Sequence, residues 1–215
     1  NLTSLLKNKF FVIFLFPFLL GAALIFTFSP YNLTLINFLV FPILLFFIFT
    51  VKKGTKSKYR KKKSNRYFFY LGCAFGFGFF LFGNYWISIS LTHDEMFTVF
   101  IPFAVILIPL FLSLFFGLAI LIVGYFCEKN ISFILLFSLV FSIFEYLRGT
   151  LLTGFPWNLI AYTWSWSTEL IQILSIIGTY SLSLISITLF CLPFIFFQNL
   201  KNRKNIFFEI FVLIA

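Results

Sequence analysis

The chain has 215 residues, of which 61% are hydrophobic, 24% aromatic and only 10% charged. Soluble domains are about half apolar and about a quarter charged, so this composition excludes a water-soluble fold and predicts that the protein is embedded in lipid. The formal net charge is +10, but nine of the 16 Lys and Arg residues lie between Lys52 and Arg66. Such clustering beside apolar runs is typical of a cytoplasmic loop, although it is also compatible with an anionic-lipid or nucleic-acid patch. We favour the loop and expect no nucleic-acid partner.

Apolar runs of about 20 residues, the length that crosses a bilayer, recur along the chain. They predict an all-α, polytopic membrane helix bundle. Six complete transmembrane helices are expected at about 10–28, 33–51, 67–91, 97–126, 131–150 and 168–197. A seventh run, 206–215, is too short to cross. We therefore expect residues 1–215 to be one transmembrane domain that stops partway into a further helix of a longer protein.

The basic residues indicate how these spans are oriented. With the N-terminus in the cytoplasm and the spans alternating, 15 of the 16 Lys and Arg residues fall on the cytoplasmic side, and only Arg148 lies outside. Because short cytoplasmic loops are enriched in Lys and Arg, this distribution predicts the orientation of the whole bundle. The incomplete seventh helix would then exit on the outer side.

The stretch from Glu145 to Trp157, E-Y-L-R-G-T-L-L-T-G-F-P-W, has the strongest functional pattern. Glu145 and Arg148 are three residues apart, so on a helix they share a face and can pair. Glycines and Pro156 then break the helix, which predicts a loop folded back at the outer interface. Two interpretations stay open: a structural ion pair with interfacial aromatics, or a site that holds a lipid head group or acyl chain.

Other residues point less clearly to chemistry. Gly72, Gly76, Gly78 and Gly83 superficially resemble a phosphate-binding loop, but they lie inside a span. The spacing of Gly72 and Gly76 predicts close helix packing instead. His93, Asp94 and Glu95 have no second ligand cluster nearby in sequence, so we expect a solvated loop and no metal. The three cysteines have no ligand or disulfide spacing and are expected to be packing residues: Cys73, Cys127 and Cys191.

The Glu145–Trp157 stretch resembles apolipoprotein N-acyltransferases, whose pattern there is close to E-x-L-R-G, a short gap, and then T-G-F-P-W. Two weaker matches to the family's motifs occur in the same order along the chain. They are Ser29-Pro30-Tyr31-Asn32 after the first span, and Gly76-Phe-Gly78 followed by Gly83-Asn-Tyr-Trp86 at the end of the third. The resemblance covers essentially the whole chain.

The resemblance implies a bacterial inner-membrane enzyme that transfers an acyl chain from a phospholipid to the α-amino group of the N-terminal diacylglyceryl-cysteine of a lipoprotein. It implies a cysteine nucleophile, a glutamate base and a lysine in a nitrilase-like domain after residue 215. No catalytic residue is then expected in this chain, which should be inactive alone and need no cofactor. Substrate-binding residues are expected at six positions: Trp86, Glu145, Arg148, Phe155, Pro156 and Trp157. The alternatives are a non-catalytic membrane scaffold or a small transporter.

Overall fold

The computed structural model describes residues 8–53, 58–93, 95–126, 131–152 and 154–198. Every regular element in these ranges is a helix, which confirms the all-helical class. A helix over Phe11–Thr27 opens the chain and contains α1 (Phe16–Leu24). The other helices are α2 (Asn37–Lys53), α3 (Lys58–Gly83), α4 (Trp86–Ser90), α5 (Ile101–Tyr125), α6 (Ile131–Thr150), α7 (Thr168–Gln172), α8 (Leu174–Ile177), α9 (Thr179–Cys191) and α10 (Pro193–Gln198).

Four of the described helices are long and apolar enough to cross a membrane, and a bent helix pair makes a possible fifth. The expected count of six complete spans is therefore not confirmed. The first helix has 17 residues, which is at the lower end of the length that crosses a bilayer. The sixth expected span bends by 120° around Gly178, whose backbone φ is +78°. The seventh apolar run lies outside the described residues.

The third span also ends earlier than the apolar pattern predicted. Its helix stops at Gly83, and the short α4 follows after Asn84 and Tyr85. The side chain of Asn84 is buried and accepts a hydrogen bond from Asn158 at 3.2 Å. Hydropathy alone carried the predicted span past Asn84, because that partner lies 74 residues further along the chain.

Small residues bring the long helices together. A Cβ added to Gly72 would lie 2.5 Å from the Phe116 carbonyl oxygen on α5, and one added to Gly76 would lie 3.0 Å from the Ser113 Cα. The prediction that these two glycines serve helix packing is confirmed. Gly21 and Gly78 make an equally close contact between α1 and α3.

Phenylalanine rings fill the interior between the helices. Phe116 of α5 lies 4.6 Å from Phe141 of α6 and 5.1 Å from Phe80 of α3, measured between ring centroids. Phe41 of α2 stacks on Phe190 of α9 at 6.0 Å. All five rings are buried. The Phe-rich composition therefore supplies one aromatic core that touches five helices.

Contacts at the two ends of the bundle show how the helices alternate. At one end, Lys52 Nζ donates to the carbonyl oxygens of Gly124 and Tyr125, joining the last turns of α2 and α5. At the other end, Thr34 Oγ1 donates to the Thr163 carbonyl at 2.7 Å. The candidate site lies at this second end, where the first loop (residues 28–36) meets the return loop (residues 154–167).

Candidate functional site

The return loop begins with a tight reversal after α6. Leu152 and Gly154 both have positive φ, 53° and 73°. The reversal is closed by a backbone hydrogen bond from Phe155 N–H to the Arg148 carbonyl at 2.8 Å. A Cβ on Gly154 would lie 2.4 Å from the Gly149 carbonyl oxygen. Residues 154–157 therefore fold back over the end of α6, because glycine fits at Gly154 and a larger residue does not.

Arg148 holds the folded-back loop. Its side chain is 1% exposed, and its Nη1 donates to the carbonyl oxygens of Phe155 at 2.6 Å and Trp157 at 2.8 Å. Its guanidinium carbon lies 5.0 Å from the centroid of the Phe80 ring, a cation–π distance. Arg148 thus joins the end of α6, the return loop and α3 at one point.

Glu145 holds the same loop further along. It is fully buried, and its Oε1 accepts the Ile160 N–H at 3.0 Å. The next amide, Ala161 N–H, donates to Ser183 Oγ on α9 at 3.1 Å. The return loop is therefore fixed between α6 and α9 by successive backbone groups.

The predicted direct pairing of Glu145 and Arg148 takes a different form. Both side chains hydrogen-bond to backbone groups of the return loop, and Glu145 also interacts with the Ser183 hydroxyl of α9. Glu145 Oε2 and Arg148 Nε and Nη2 are buried without a hydrogen-bond partner in the protein. The two charges are close enough to attract one another. We call Glu145 and Arg148 the loop clamp.

The other expected site residues lie on the surface side of the loop. Pro156 is exposed, Phe155 is half-buried, and Trp157 is 55% exposed. Trp157 packs edge-to-face against Trp86 with the ring centroids 5.6 Å apart. The fold therefore gathers all six expected residues around one reversal, with the two charged residues inside and Trp86, Pro156 and Trp157 outside.

Sequence reasoning missed three residues that build this region. Asn158 Nδ2 donates to the Gly83 carbonyl at 3.3 Å as well as to Asn84, which joins the loop to the end of α3. Thr34 and Ser183 each hydrogen-bond a backbone group of the return loop. Asn158 directly follows the T-G-F-P-W motif, which is a usable signal, whereas single Thr and Ser residues carry none.

An open cavity of about 410 Å³ adjoins the exposed side of the loop, and Pro156 and Trp157 form part of its wall. Among the described residues, no three metal-ligating side chains cluster. Asp94 and Cys127 lie outside the described residues, while Cys73 and Cys191 are free thiols. The described part of the site thus offers apolar, aromatic and hydrogen-bonding contacts for a ligand.

Comparison with known proteins gives the family. A family model described as the apolipoprotein N-acyltransferase N-terminal domain matches residues 20–192. The chain belongs to this family. The matched range includes the loop clamp, the return loop and Trp86, so the candidate site lies wholly within the apolipoprotein N-acyltransferase N-terminal domain.

Individual relatives agree with the family assignment. The chain is 45% identical over 117 residues to the apolipoprotein N-acyltransferase of Rickettsia prowazekii. This alignment covers 54% of this chain and 23% of the relative. It is 31% identical over 201 residues to that of Brucella melitensis, covering 92% of this chain and 37% of the relative. It is 30% identical over 188 residues to that of Rhodopseudomonas palustris, and this alignment covers 87% of this chain and 34% of the relative. The matched part of the chain thus spans between about a quarter and about two fifths of these apolipoprotein N-acyltransferases.

Proposed function

We propose that this chain is the membrane portion of an apolipoprotein N-acyltransferase. The complete enzyme would transfer an acyl chain from a phospholipid to the α-amino group of the N-terminal diacylglyceryl-cysteine of a lipoprotein. The observation that carries the proposal is the family match over residues 20–192. It is supported by the names of relatives that align with up to 92% of the chain.

The proposal places the chain in the bacterial inner membrane with its N-terminus in the cytoplasm. The grouping of basic residues between Lys52 and Arg66 supports this orientation, because cytoplasmic loops are enriched in Lys and Arg. The return loop then faces the outer side. We further propose that a nitrilase-like catalytic domain follows residue 215 on that side, and that residues 1–215 alone are inactive.

The six candidate residues divide into two groups by burial. Pro156 and Trp157 are exposed and line the cavity, and Trp86 is exposed and packs against Trp157, so we propose that these three residues contact the lipid part of a substrate. Glu145 and Arg148 are buried and bound to loop backbone, so we propose that they position the loop. Phe155 is intermediate, since its carbonyl accepts from Arg148 while its side chain packs on the core.

A chimera tests the proposed function. Residues 1–215 are joined to the remaining C-terminal sequence of the Brucella melitensis relative and expressed in bacteria depleted of their own apolipoprotein N-acyltransferase. Mass spectrometry of a lipoprotein N-terminus then shows whether the N-acyl chain has been added. We expect N-acylation with the chimera and none with residues 1–215 alone.

Two variants separate substrate contact from folding. Trp157→Ala in the chimera should lower N-acylation while the protein level in the membrane stays unchanged, because this ring is exposed. Tyr125→Ala removes an aromatic ring of similar exposure, 59%, at the opposite end of the bundle and should leave N-acylation intact. If the chimera reached the membrane at the level of the active Brucella protein but added no acyl chain, a scaffold or transport role would replace the enzyme.

A further inference from the structure

Two cavities lie side by side at the end of the bundle that carries the return loop. The first is the 410 Å³ cavity described above. The second is a groove of about 450 Å³. Both are built by the first loop and the return loop, which contributes Tyr162 and Ser165 to the cavity and Trp164 and Trp166 to the groove. Each volume lies within the range of about 300–1,000 Å³ that is typical of small-ligand sites.

The groove presents apolar surface. Its walls include Leu33, Leu35 and Phe38 together with the rings of Trp164 and Trp166. Both indole N–H groups are already used inside the protein, because Trp164 Nε1 donates to Ser186 Oγ and Trp166 Nε1 to Thr34 Oγ1, each at 2.8 Å. The rings are therefore fixed in place, and what they offer a ligand is their apolar surface.

The remaining polar groups of the groove do not change this character. Thr34 Oγ1 accepts from Trp166 and donates to the Thr163 carbonyl, so it is internally satisfied. Asn32 Nδ2 donates to the Pro30 carbonyl at 3.4 Å within its own turn, and Asn32 Oδ1 is buried without a hydrogen-bond partner, so it is the one uncharged side-chain acceptor that the described lining leaves unused. No charged residue is among the described residues that line the groove. An aliphatic chain fits this surface better than a polar ligand does.

The neighbouring cavity has a different lining. It combines apolar rings with the hydroxyl groups of Ser29, Tyr162 and Ser165, and its described lining carries no formal charge. The amide nitrogen of Asn158, which also lines the cavity, already donates to Gly83 and Asn84. Hydroxyl groups donate hydrogen bonds to ester carbonyl and glycerol oxygens without needing a charged partner. The cavity thus complements the uncharged ester region of a glycerolipid rather than its phosphate.

We propose that the two compartments together bind one diacyl glycerolipid, with an acyl chain in the groove and the glyceryl ester region in the cavity. The surrounding bilayer supplies this ligand at high local concentration. This inference deepens the proposed function: that the bound lipid is a substrate rests on that function, whereas lipid binding is measured without acyl transfer. If the chimera added no acyl chain while the chain still bound lipid, the proposed enzymatic function would be refuted and the lipid site would be retained.

Photochemical labelling of the full chain tests the site. The protein is reconstituted in vesicles containing phosphatidylethanolamine with a diazirine at the end of one acyl chain, transferred to detergent and illuminated. Peptide mass spectrometry then locates the label. We expect retained label to concentrate on residues 32–38 and 162–166. A parallel arm uses diazirine-labelled palmitate, which has an acyl chain but no glyceryl ester.

Matched variants identify each compartment. Leu35→Trp fills the groove from a position that is 79% exposed, whereas Leu39→Trp adds the same bulk one turn away at a position that is 64% exposed and outside the groove. We expect Leu35→Trp to lower labelling by both probes about tenfold, equivalent to about 1.4 kcal/mol of binding free energy. Leu39→Trp should leave labelling by both unchanged.

Ser165→Phe fills the cavity and should lower phospholipid labelling while palmitate labelling persists. Ser175→Phe, at another exposed serine outside both compartments, is its control. Label spread over all lipid-exposed helices, or a Leu35→Trp variant that retains phospholipid, would overturn the groove assignment. Phospholipid labelling that survives Ser165→Phe would overturn the cavity assignment.

Discussion

Arg148→Met should strongly destabilise the protein. Methionine keeps much of the volume of the arginine stem but removes the charge and both hydrogen bonds to the Phe155 and Trp157 carbonyls. It also leaves the buried Glu145 without its neighbouring cation. Removing one member of a buried charge pair typically costs about 3–5 kcal/mol, and this figure already includes much of the lost hydrogen bonding. We therefore expect a loss of that size.

Thermal unfolding of the purified chain in detergent, followed by tryptophan fluorescence, measures the loss. All four tryptophans, Trp86, Trp157, Trp164 and Trp166, lie at the end of the bundle where the clamp acts. For a domain of about 200 residues, 1 kcal/mol shifts Tm by roughly 2–4 °C, so the expected drop is roughly 6–20 °C. All variants are compared at one scan rate, because unfolding of such proteins is often irreversible.

The control is Arg66→Met, which makes the same chemical change at an exposed arginine and should alter stability by about 0.5 kcal/mol or less. A second arm adds Glu145→Gln to Arg148→Met, which removes both charges but keeps an oxygen that accepts the Ile160 N–H. This double variant should melt above Arg148→Met. If Arg148→Met melted like Arg66→Met, or if Glu145→Gln gave no recovery, the clamp would not be an electrostatic unit.

Three further predictions follow from backbone geometry and ring packing. Gly154→Ala should be more destabilising than Gly178→Ala by thermal unfolding. Both glycines have positive φ, which costs a non-glycine residue about 1–3 kcal/mol, but only at Gly154 does the added Cβ strike backbone, at 2.4 Å, while Gly178 faces open space. Equal effects would contradict this steric argument. Gly78→Leu should prevent α1 from packing on α3, because even a Cβ there would lie 2.1 Å from a carbonyl oxygen of α1, and protease resistance of the first helix should fall. A double-mutant cycle of Trp86→Ala and Trp157→Ala, measured on the free energy of unfolding, should show a coupling energy of about 0.5–1.5 kcal/mol, the value of an edge-to-face aromatic pair. Strictly additive effects on that free energy would show that the two rings do not interact.

The sequence predicted the fold class well and the ends of individual helices less well. Long apolar runs mark membrane helices because lipid leaves no other way to satisfy the backbone, and α2, α5 and α6 begin and end close to the predicted positions. The errors fall where only a few residues interrupt an apolar run. α3 ends at Gly83, just before Asn84, whose hydrogen-bond partner Asn158 is distant in sequence, and the sixth expected span bends at Gly178.

The candidate site shows the same division. Its residues could be chosen from the motif between Glu145 and Trp157, since acidic and basic residues beside glycines and a proline are unusual in an apolar chain. The roles of these residues could not be predicted from the motif. Spacing on a helix predicted a direct pair, whereas both side chains bind loop backbone, because the return loop brings unpaired carbonyl and N–H groups within reach.

The amino-acid sequence by itself determined that this protein is a helical membrane chain, because composition decides which solvent can accept its surface. It also determined where the unusual polar motif lies. Only the tertiary structure decided which groups meet around that motif. Thr34 of the first loop and Ser183 of α9 reach the return loop, and Asn158 of the return loop reaches the end of α3. Such contacts depend on where the Phe core places each helix end, and that is a property of packing rather than of local sequence.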